Sequence, residues 1–77
     1  NHTGSVAIGA TTTDASAKLE VTSTTQGFLL PRMTSTQGSA ISSPADGLMI
    51  YVTDTNGTFT SIGFWGRLSG TWTALHL

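Results

Sequence analysis

The residues that could perform acid–base chemistry in this chain are few. Its carboxylates are Asp14, Glu20, Asp46 and Asp54. Hydrolysis of a glycosidic bond needs two carboxylates roughly 5 to 10 Å apart in a cleft. The three aspartates stand in turn-like contexts, where Asp commonly hydrogen-bonds the backbone, and Glu20 alternates outward on a candidate strand. The sequence therefore predicts structural or solvent-facing roles for these side chains and no catalytic residues.

The two histidines, His2 and His76, lie near the two ends of the chain. Nucleophilic catalysis needs a base beside a serine or cysteine, and neither histidine belongs to a recognisable motif of that kind. Three copies of His76 around a symmetry axis could bind a metal or an anion. We favour instead a terminal strand residue that packs or faces water. The chain is therefore expected to need no metal and no cofactor, and not to be an enzyme.

Aromatic side chains offer a different chemistry, because flat rings can cover the apolar face of a sugar while their polar tips stay wet. The aromatic candidates are Trp65, Trp72, Tyr51 and Phe59. Trp65 is expected to be exposed, because its parity is opposite to that of Phe64, and Arg67 beside it could hydrogen-bond sugar hydroxyls. The predicted ligand-binding residues are Trp65, Arg67, Trp72 and Tyr51. The alternative is that these rings form the core or a subunit interface, which is the more common role of aromatics in a small domain.

Composition excludes several classes of partner. Charged residues make up 9% of the chain, against roughly 25% in ordinary soluble domains. Three basic residues do not form a patch that could neutralise phosphates, so no nucleic-acid partner is expected. No apolar stretch approaches the roughly 20 residues needed to cross a bilayer, so no membrane insertion is expected. Ser and Thr account for 24 of the 77 residues, and threonine favours strands.

Chain length favours association with other copies. A monomer of 77 residues buries only roughly 60% of the surface that its unfolded chain exposes. The chain has no cysteine, which removes disulfides as a way to stabilise a small core and leaves oligomerisation. Residues 48–52 (LMIYV) form a continuous apolar run, the pattern of a strand covered on both faces. A partner subunit is the natural cover for the second face.

Local patterns in the first half of the chain predict an extended arm over residues 1–16, followed by a strand. Ala17, Leu19 and Val21 alternate with polar residues, which is typical of a half-buried strand. The apolar run 28–30 meets Pro31 and should lie at a sheet edge or in an irregular segment. Residues 35–41 could form one helical turn capped by Thr34 or Ser35, although Gly38 costs about 1 kcal/mol there.

The second half predicts a three-stranded antiparallel meander over about 48–54, 59–68 and 71–77. Asn56-Gly57 signals a type I′ hairpin turn, and Ser69-Gly70 offers a second reversal. The predicted fold is therefore all-β, a small antiparallel meander with an extended N-terminal arm. The domain division is an arm over 1–16 and a small β domain over 17–77.

Four segments, in this order, resemble a module of bacteriophage tail-fibre and related host-attachment (receptor-binding) proteins: residues 5–9 (SVAIG), 14–21 (DASAKLEV), 27–34 (GFLLPRMT) and 47–51 (GLMIY). In that family a strand of the KLEV type is followed by a Gly-Phe-Leu-Pro-Pro-Arg-Met segment, a short polar turn and a Gly-Leu-hydrophobic-Tyr strand. The resemblance covers roughly residues 5–55. Leu30 stands where the family often has a proline, and Gly38 stands where an arginine is common.

The resemblance implies an intertwined homotrimer in the distal part of a virion tail fibre, extracellular when it functions. Residues 1–16 would then end the fibre shaft and residues 17–77 would form the tip. The implied function is structural and receptor-binding, with a bacterial surface polysaccharide or lipopolysaccharide as the partner. The alternative is a purely structural connector or trimerisation segment with no receptor contact. A tailspike-like enzyme with carboxylates from different subunits is a third hypothesis, which we disfavour.

Overall fold

Short strands dominate the computed structural model, which describes residues 4–76. The elements, in chain order, are β1 (Val6–Ile8), β2 (Leu19–Val21), β3 (Arg32–Met33), α1 (Ser35–Ser39), β4 (Met49–Val52), β5 (Gly63–Leu68) and β6 (Thr71–Ala74). This content is consistent with the predicted all-β class. The one helix in the described residues has five residues, too short and too polar to cross a bilayer.

The larger sheet has four strands in the order β3-β4-β5-β6. Strands β4, β5 and β6 form the expected antiparallel meander, with Trp65 opposite both Ile50 and Ala74. Strand β3 adds a parallel edge, with Arg32 opposite Tyr51, so a purely antiparallel fold is wrong. The parallel pairing is possible because residues 34–48, which include α1, are long enough for a crossover connection. Pro31 precedes this edge strand, as its missing N–H requires.

Of the two predicted chain reversals, the one at Ser69-Gly70 is present and the hairpin at Asn56-Gly57 is not. Ser69 and Gly70 have φ values of 51° and 76°, so both central residues are left-handed, as a type I′ turn between β5 and β6 requires. The tight hairpin predicted at Asn56-Gly57 is wrong, because residues 53–62 form a long connection and β5 begins at Gly63 rather than near residue 59. Asn56 instead closes a local turn: its Oδ1 accepts from the N–H of Phe59 at 2.8 Å. The Asn56 N–H donates to the Phe59 carbonyl at 2.8 Å.

Helix α1 forms where the sequence predicts it, with Thr34 as its N-cap. The Gln37 N–H donates to Thr34 Oγ1, and the Gln37 side chain accepts from the Thr34 N–H, which completes a capping box. Asp54 adds a long-range contact, because its Oδ1 accepts from the Ser35 N–H at 2.6 Å. A Cβ placed on Gly38 would lie 3.1 Å from the side chains of Ile50 and Phe59. Glycine is therefore what allows the helix to sit closely on the sheet.

The buried core consists of Ile50, Val52, Phe59 and Trp65. Three of these come from β4 and β5, and Phe59 comes from the connection between them. We call the side of the four-stranded sheet that carries Ile50, Val52 and Trp65 the inner face, and its opposite side the outer face. Helix α1 packs against β4, and Met33, Ile41, Trp72 and Ala74 complete the core at its margin.

In the N-terminal region, β1 pairs with β2 in a separate parallel sheet. Val6 lies opposite Leu19 and Ile8 lies opposite Val21. This pairing crosses the expected boundary at residue 16, and the domain division itself stays a prediction. The strand predicted around Leu19 exists, but Leu19 and Val21 are exposed rather than half-buried. Residues 1–3 of the predicted arm, including His2, and Leu77 at the end of the predicted last strand lie outside the described residues.

The single chain is more extended than a compact domain of its size. Its radius of gyration is 15.0 Å, against about 11.5 Å for a compact chain of this length. Its accessible surface is 5633 Å², whereas a compact monomer of 8.0 kDa exposes about 4,450 Å². The folded chain therefore exposes more surface than a compact monomer of its mass.

Candidate functional site

The four predicted ligand-binding residues do not form one site. Trp65, Arg67 and Trp72 belong to the inner face, where Trp65 faces Ile50 and Arg67 faces Trp72 across the strands. Tyr51 lies opposite Phe64 on the outer face. The four-stranded sheet thus separates Tyr51 from the other three.

Trp65 is a core residue, so its expected exposure is wrong. Its side chain is 5% exposed and meets the Phe59 ring edge-on, with centroids 5.2 Å apart. Its indole Nε1–H donates to the Ser61 carbonyl at 3.0 Å. Parity along β5 correctly separates Trp65 from Phe64, but parity does not tell which of the two faces the core. The exposed residue of the pair is Phe64.

Arg67 and Trp72 form a half-buried pair at the margin of the core. The Arg67 guanidinium carbon lies 5.4 Å from the centroid of the Trp72 ring, a cation–π distance. The Trp72 ring also contacts Phe59, with centroids 5.3 Å apart. The pair borders a groove that Ser39 and Thr58 also line. Arg67 Nε is buried and has no hydrogen-bond partner among the described residues.

The outer face carries large apolar side chains that nothing in the described part of the chain covers. We call the following residues the outer-face patch: Met49, Tyr51, Phe64, Leu68 and Leu75. All but Tyr51, which is half-buried, are exposed, by 43% to 51%. The Tyr51 and Phe64 rings meet edge-on with centroids 5.0 Å apart. Met49, Leu68 and Leu75 surround an apolar hollow of about 160 Å³ above Gly66.

The segment before β3 extends this apolar surface. Phe28 and Leu29 are 68% and 69% exposed. Together with Leu30, Arg32, Tyr51 and Phe64 they line a groove of about 220 Å³. The irregular apolar segment expected around Pro31 is therefore present, and it adjoins the outer-face patch.

The aspartates accept hydrogen bonds from the backbone. One backbone and one side-chain hydrogen bond from Ser16 lower the pKa of Asp14 below its usual value. Hydrogen bonds from Ser35 lower the pKa of Asp54 in the same way. Asp46 Oδ1 accepts from the Gly70 N–H at 2.8 Å, which ties the turn before β4 to the β5–β6 hairpin. Across residues 4–76 no cluster of His, Asp or Glu side chains could hold a metal ion.

His76 has a partner that the sequence did not reveal. Its Nε2 lies 3.0 Å from Ser61 Oγ, and its Nδ1 lies 3.3 Å from the Phe64 carbonyl. The ring packs on Gly63, where a Cβ would collide with it. Gly63 also has a φ of 145°, which L side chains rarely adopt. Through these contacts His76, the last described residue, packs against β5.

A family model described as "phage tail like trimerisation region" matches residues 7–76 of the chain. The matched span contains all four strands of the larger sheet, helix α1, strand β2 and most of β1. Among curated proteins and solved structures, no match to the chain is found.

Proposed function

Because the chain belongs to the family of phage tail like trimerisation regions, we propose that it joins three copies of a phage tail-fibre protein into a homotrimer. The role is structural, and the chain is a virion tail component. The expected homotrimer and the expected phage-tail origin are both supported by family membership. The alternative function given by the sequence, a trimerisation segment, is thus the one we favour over receptor binding.

The observation that carries this proposal is the outer-face patch. An exposed, contiguous apolar surface rimmed by polar residues marks an interaction site in a soluble protein. A threefold ring needs a surface on each copy that its neighbours can cover. The excess surface of the single chain, about 1,200 Å² over a compact monomer, exceeds the area of about 800 Å² that a standard interface buries on each partner.

The lack of charge on the outer-face patch also favours it as the interface. None of the five residues of the outer-face patch is charged. Like-charge repulsion therefore does not oppose packing three identical patches around one axis. In this proposal the carboxylates keep the folding roles described above, and the chain acts without catalysis.

Light scattering of two variants at one position tests the proposal. The Phe64→Asp variant places a charge in the patch without emptying the core, because Phe64 is 45% exposed. We expect it to lose the trimeric mass, while Phe64→Leu keeps the mass of the unmodified chain, about three times 8.0 kDa. A Phe64→Asp variant that stays trimeric, with an unchanged circular dichroism spectrum, would show that the outer face is not the interface.

The chains in this homotrimer are expected to be intertwined, in a distal position on the fibre, as the resemblance implies. Intertwined chains cannot separate without unfolding, so trimers carrying two different labels should exchange subunits no faster than they unfold. Rapid exchange under native conditions would mean that the copies associate side by side.

Attachment to bacterial surface polysaccharide or lipopolysaccharide is a second candidate function, and the Arg67–Trp72 groove favours it. The groove is lined by Arg67, Trp72, Ser39 and Thr58, which offer a guanidinium, an aromatic ring and two hydroxyls. Sugar hydroxyls and carboxylates can accept hydrogen bonds from guanidinium and hydroxyl groups, and a flat ring can cover the apolar face of a sugar. A glycan array should then show binding that Arg67→Gln removes while the trimer persists. If the unmodified trimer binds no glycan, the chain is a connector alone.

A further inference from the structure

The small sheet of β1 and β2 has one apolar face and one polar face. Its apolar residues share one side, because each pairs directly with another: Val6 with Leu19 and Ile8 with Val21. We call these four residues the N-terminal apolar face. The opposite side carries Ala7 and Glu20, and the Glu20 carboxylate accepts hydrogen bonds from the Asp14 N–H at 2.6 Å and the Thr22 hydroxyl at 3.1 Å.

The described part of the chain leaves most of the N-terminal apolar face uncovered, and only Val6 is half-buried. Among the strands and the helix, β1 and β2 pack extensively only on each other. Ile8, Leu19 and Val21 are 55%, 54% and 44% exposed. A two-stranded sheet in water is marginally stable at best, and stability needs more strands or another packed layer. We therefore expect another surface to cover this sheet and stabilise it.

We propose that three copies of the chain bring their N-terminal apolar faces together around the threefold axis, forming a second interface separate from the outer-face patch. This inference rests on the proposed homotrimer. The occupant is another copy of the same chain, because the match to a trimerisation region includes this sheet from residue 7 onward. Rotation about one axis presents the same face of each copy to the others, and this face carries no charge to oppose the contact.

In this arrangement the two sides of the β1–β2 sheet have different roles. Polar hydrogen bonds order the solvent side of the small sheet, while side chains from three copies form a narrow apolar core on the other side. The three copies together contribute six strands to this region, compared with two in a single chain. The trimer would be held at two levels, by the N-terminal apolar face and by the outer-face patch.

Hydrogen exchange on the 77-residue trimer, with a matched pair of variants, tests this second interface. Ile8→Ser removes apolar area from the N-terminal apolar face, whereas Ala7→Ser changes the neighbouring residue on the polar side. The Thr22 N–H, which donates to the Ile8 carbonyl at 2.8 Å, reports on the pairing. We expect amides of residues 6–8 and 19–22 to exchange at least about tenfold faster in Ile8→Ser than in the unmodified trimer. Ala7→Ser should retain the protection of the unmodified trimer.

The outcomes separate this inference from the proposed function. If all three proteins are trimeric and these amides exchange equally fast in Ile8→Ser and the unmodified chain, the second interface is overturned while the homotrimer stands. Equal effects of Ile8→Ser and Ala7→Ser in trimeric protein also overturn it, since the two faces would then be equivalent. A monomeric mass for the unmodified chain removes the homotrimer itself.

Discussion

Tyr51 and Phe64 stand directly opposite each other on β4 and β5, with ring centroids 5.0 Å apart and planes at 76°. An edge-to-face pair of this kind is worth about 0.5 to 1.5 kcal/mol beyond the area it buries. Here the pair lies on the outer face, where Phe64 remains 45% exposed. In the proposed trimer another copy would cover the exposed part of Phe64 and add to the stabilisation that this pair gives.

Thermal unfolding should depend on protein concentration. If folding and association are coupled, the midpoint Tm rises with chain concentration, because mass action favours the assembled state. Scanning calorimetry over a hundredfold range of concentration measures this effect. We expect a clear rise for the unmodified chain and for Phe64→Leu, and a lower Tm for Phe64→Asp at every concentration. A Tm that is constant over that range for the unmodified chain would contradict coupled assembly.

Gly38→Ala sets two effects against each other. Alanine favours the helix over glycine by about 1 kcal/mol. The added methyl would lie 3.1 Å from Ile50 and Phe59, which are 3% and 0% exposed, and overpacking a core costs about 1 to 3 kcal/mol. We expect the cost of overpacking the core to exceed the gain in helix propensity, so that the free energy of unfolding falls by about 1 kcal/mol.

Gly57→Ala is the matched control for Gly38→Ala. A Cβ on Gly57 meets nothing within 4 Å, and Gly57 is not among the positive-φ glycines. Urea denaturation should therefore show unchanged or slightly increased stability for Gly57→Ala. If Gly38→Ala is as stable as Gly57→Ala, the helix does not sit as closely on the sheet as the structure indicates.

Removal of the helix cap should destabilise the fold around α1. Thr34 Oγ1 accepts from the Gln37 N–H at 3.2 Å, and a five-residue helix has little other support at its N-terminus. We expect Thr34→Ala to lower the free energy of unfolding by about 1 kcal/mol. Thr34→Ser retains the hydroxyl and should lose much less, and equal losses in the two variants would argue against a capping role.

Asp54 should contribute an acid-sensitive part of the stability. Hydrogen bonds from Ser35 lower its pKa in the folded state below the usual 3.8. A lowered folded pKa gives stability that is present above the unfolded value and is lost as the pH falls through the folded value. Denaturation from pH 6 down to pH 2 should therefore show a loss below about pH 4.

Asp54→Asn separates the charge of Asp54 from its hydrogen bond. The amide oxygen of Asn can still accept from the Ser35 N–H, but it does not titrate in this range. The part of the acid loss that belongs to Asp54 should be absent in this variant. An unchanged pH profile would show that Asp54 is not linked to folding.

Local patterns predicted much of the four-stranded sheet. The Ser69-Gly70 reversal follows from residue types that accept left-handed backbone, and the hydroxyls of Thr34 and Ser35 predict a helix cap, which Thr34 supplies. The parallel pairings of β1 with β2 and of β3 with β4 did not follow, because they join segments that no turn signal connects. The hairpin predicted at Asn56-Gly57 is absent, because the Asn56 side chain accepts a hydrogen bond within its own loop.

The candidate site was harder to predict than the fold for a related reason. Apolar residues occupy both faces of β4, so the alternation in β5 gives two sets of side chains without indicating which set faces the core. The sequence therefore predicts an exposed Trp65, although the side chain is buried against Phe59. The burial of Phe59 itself, in the connection between two strands, has no periodic signal. The two-faced apolar run 48–52 did indicate the need for a partner subunit.

The mass of the unmodified chain in solution tests the central claim most directly. Sedimentation equilibrium at several concentrations should give about three times the 8.0 kDa of one chain. A single species at the mass of one chain, stable and folded at all concentrations, would contradict the claim that this chain is a trimerisation region built around an apolar sheet face.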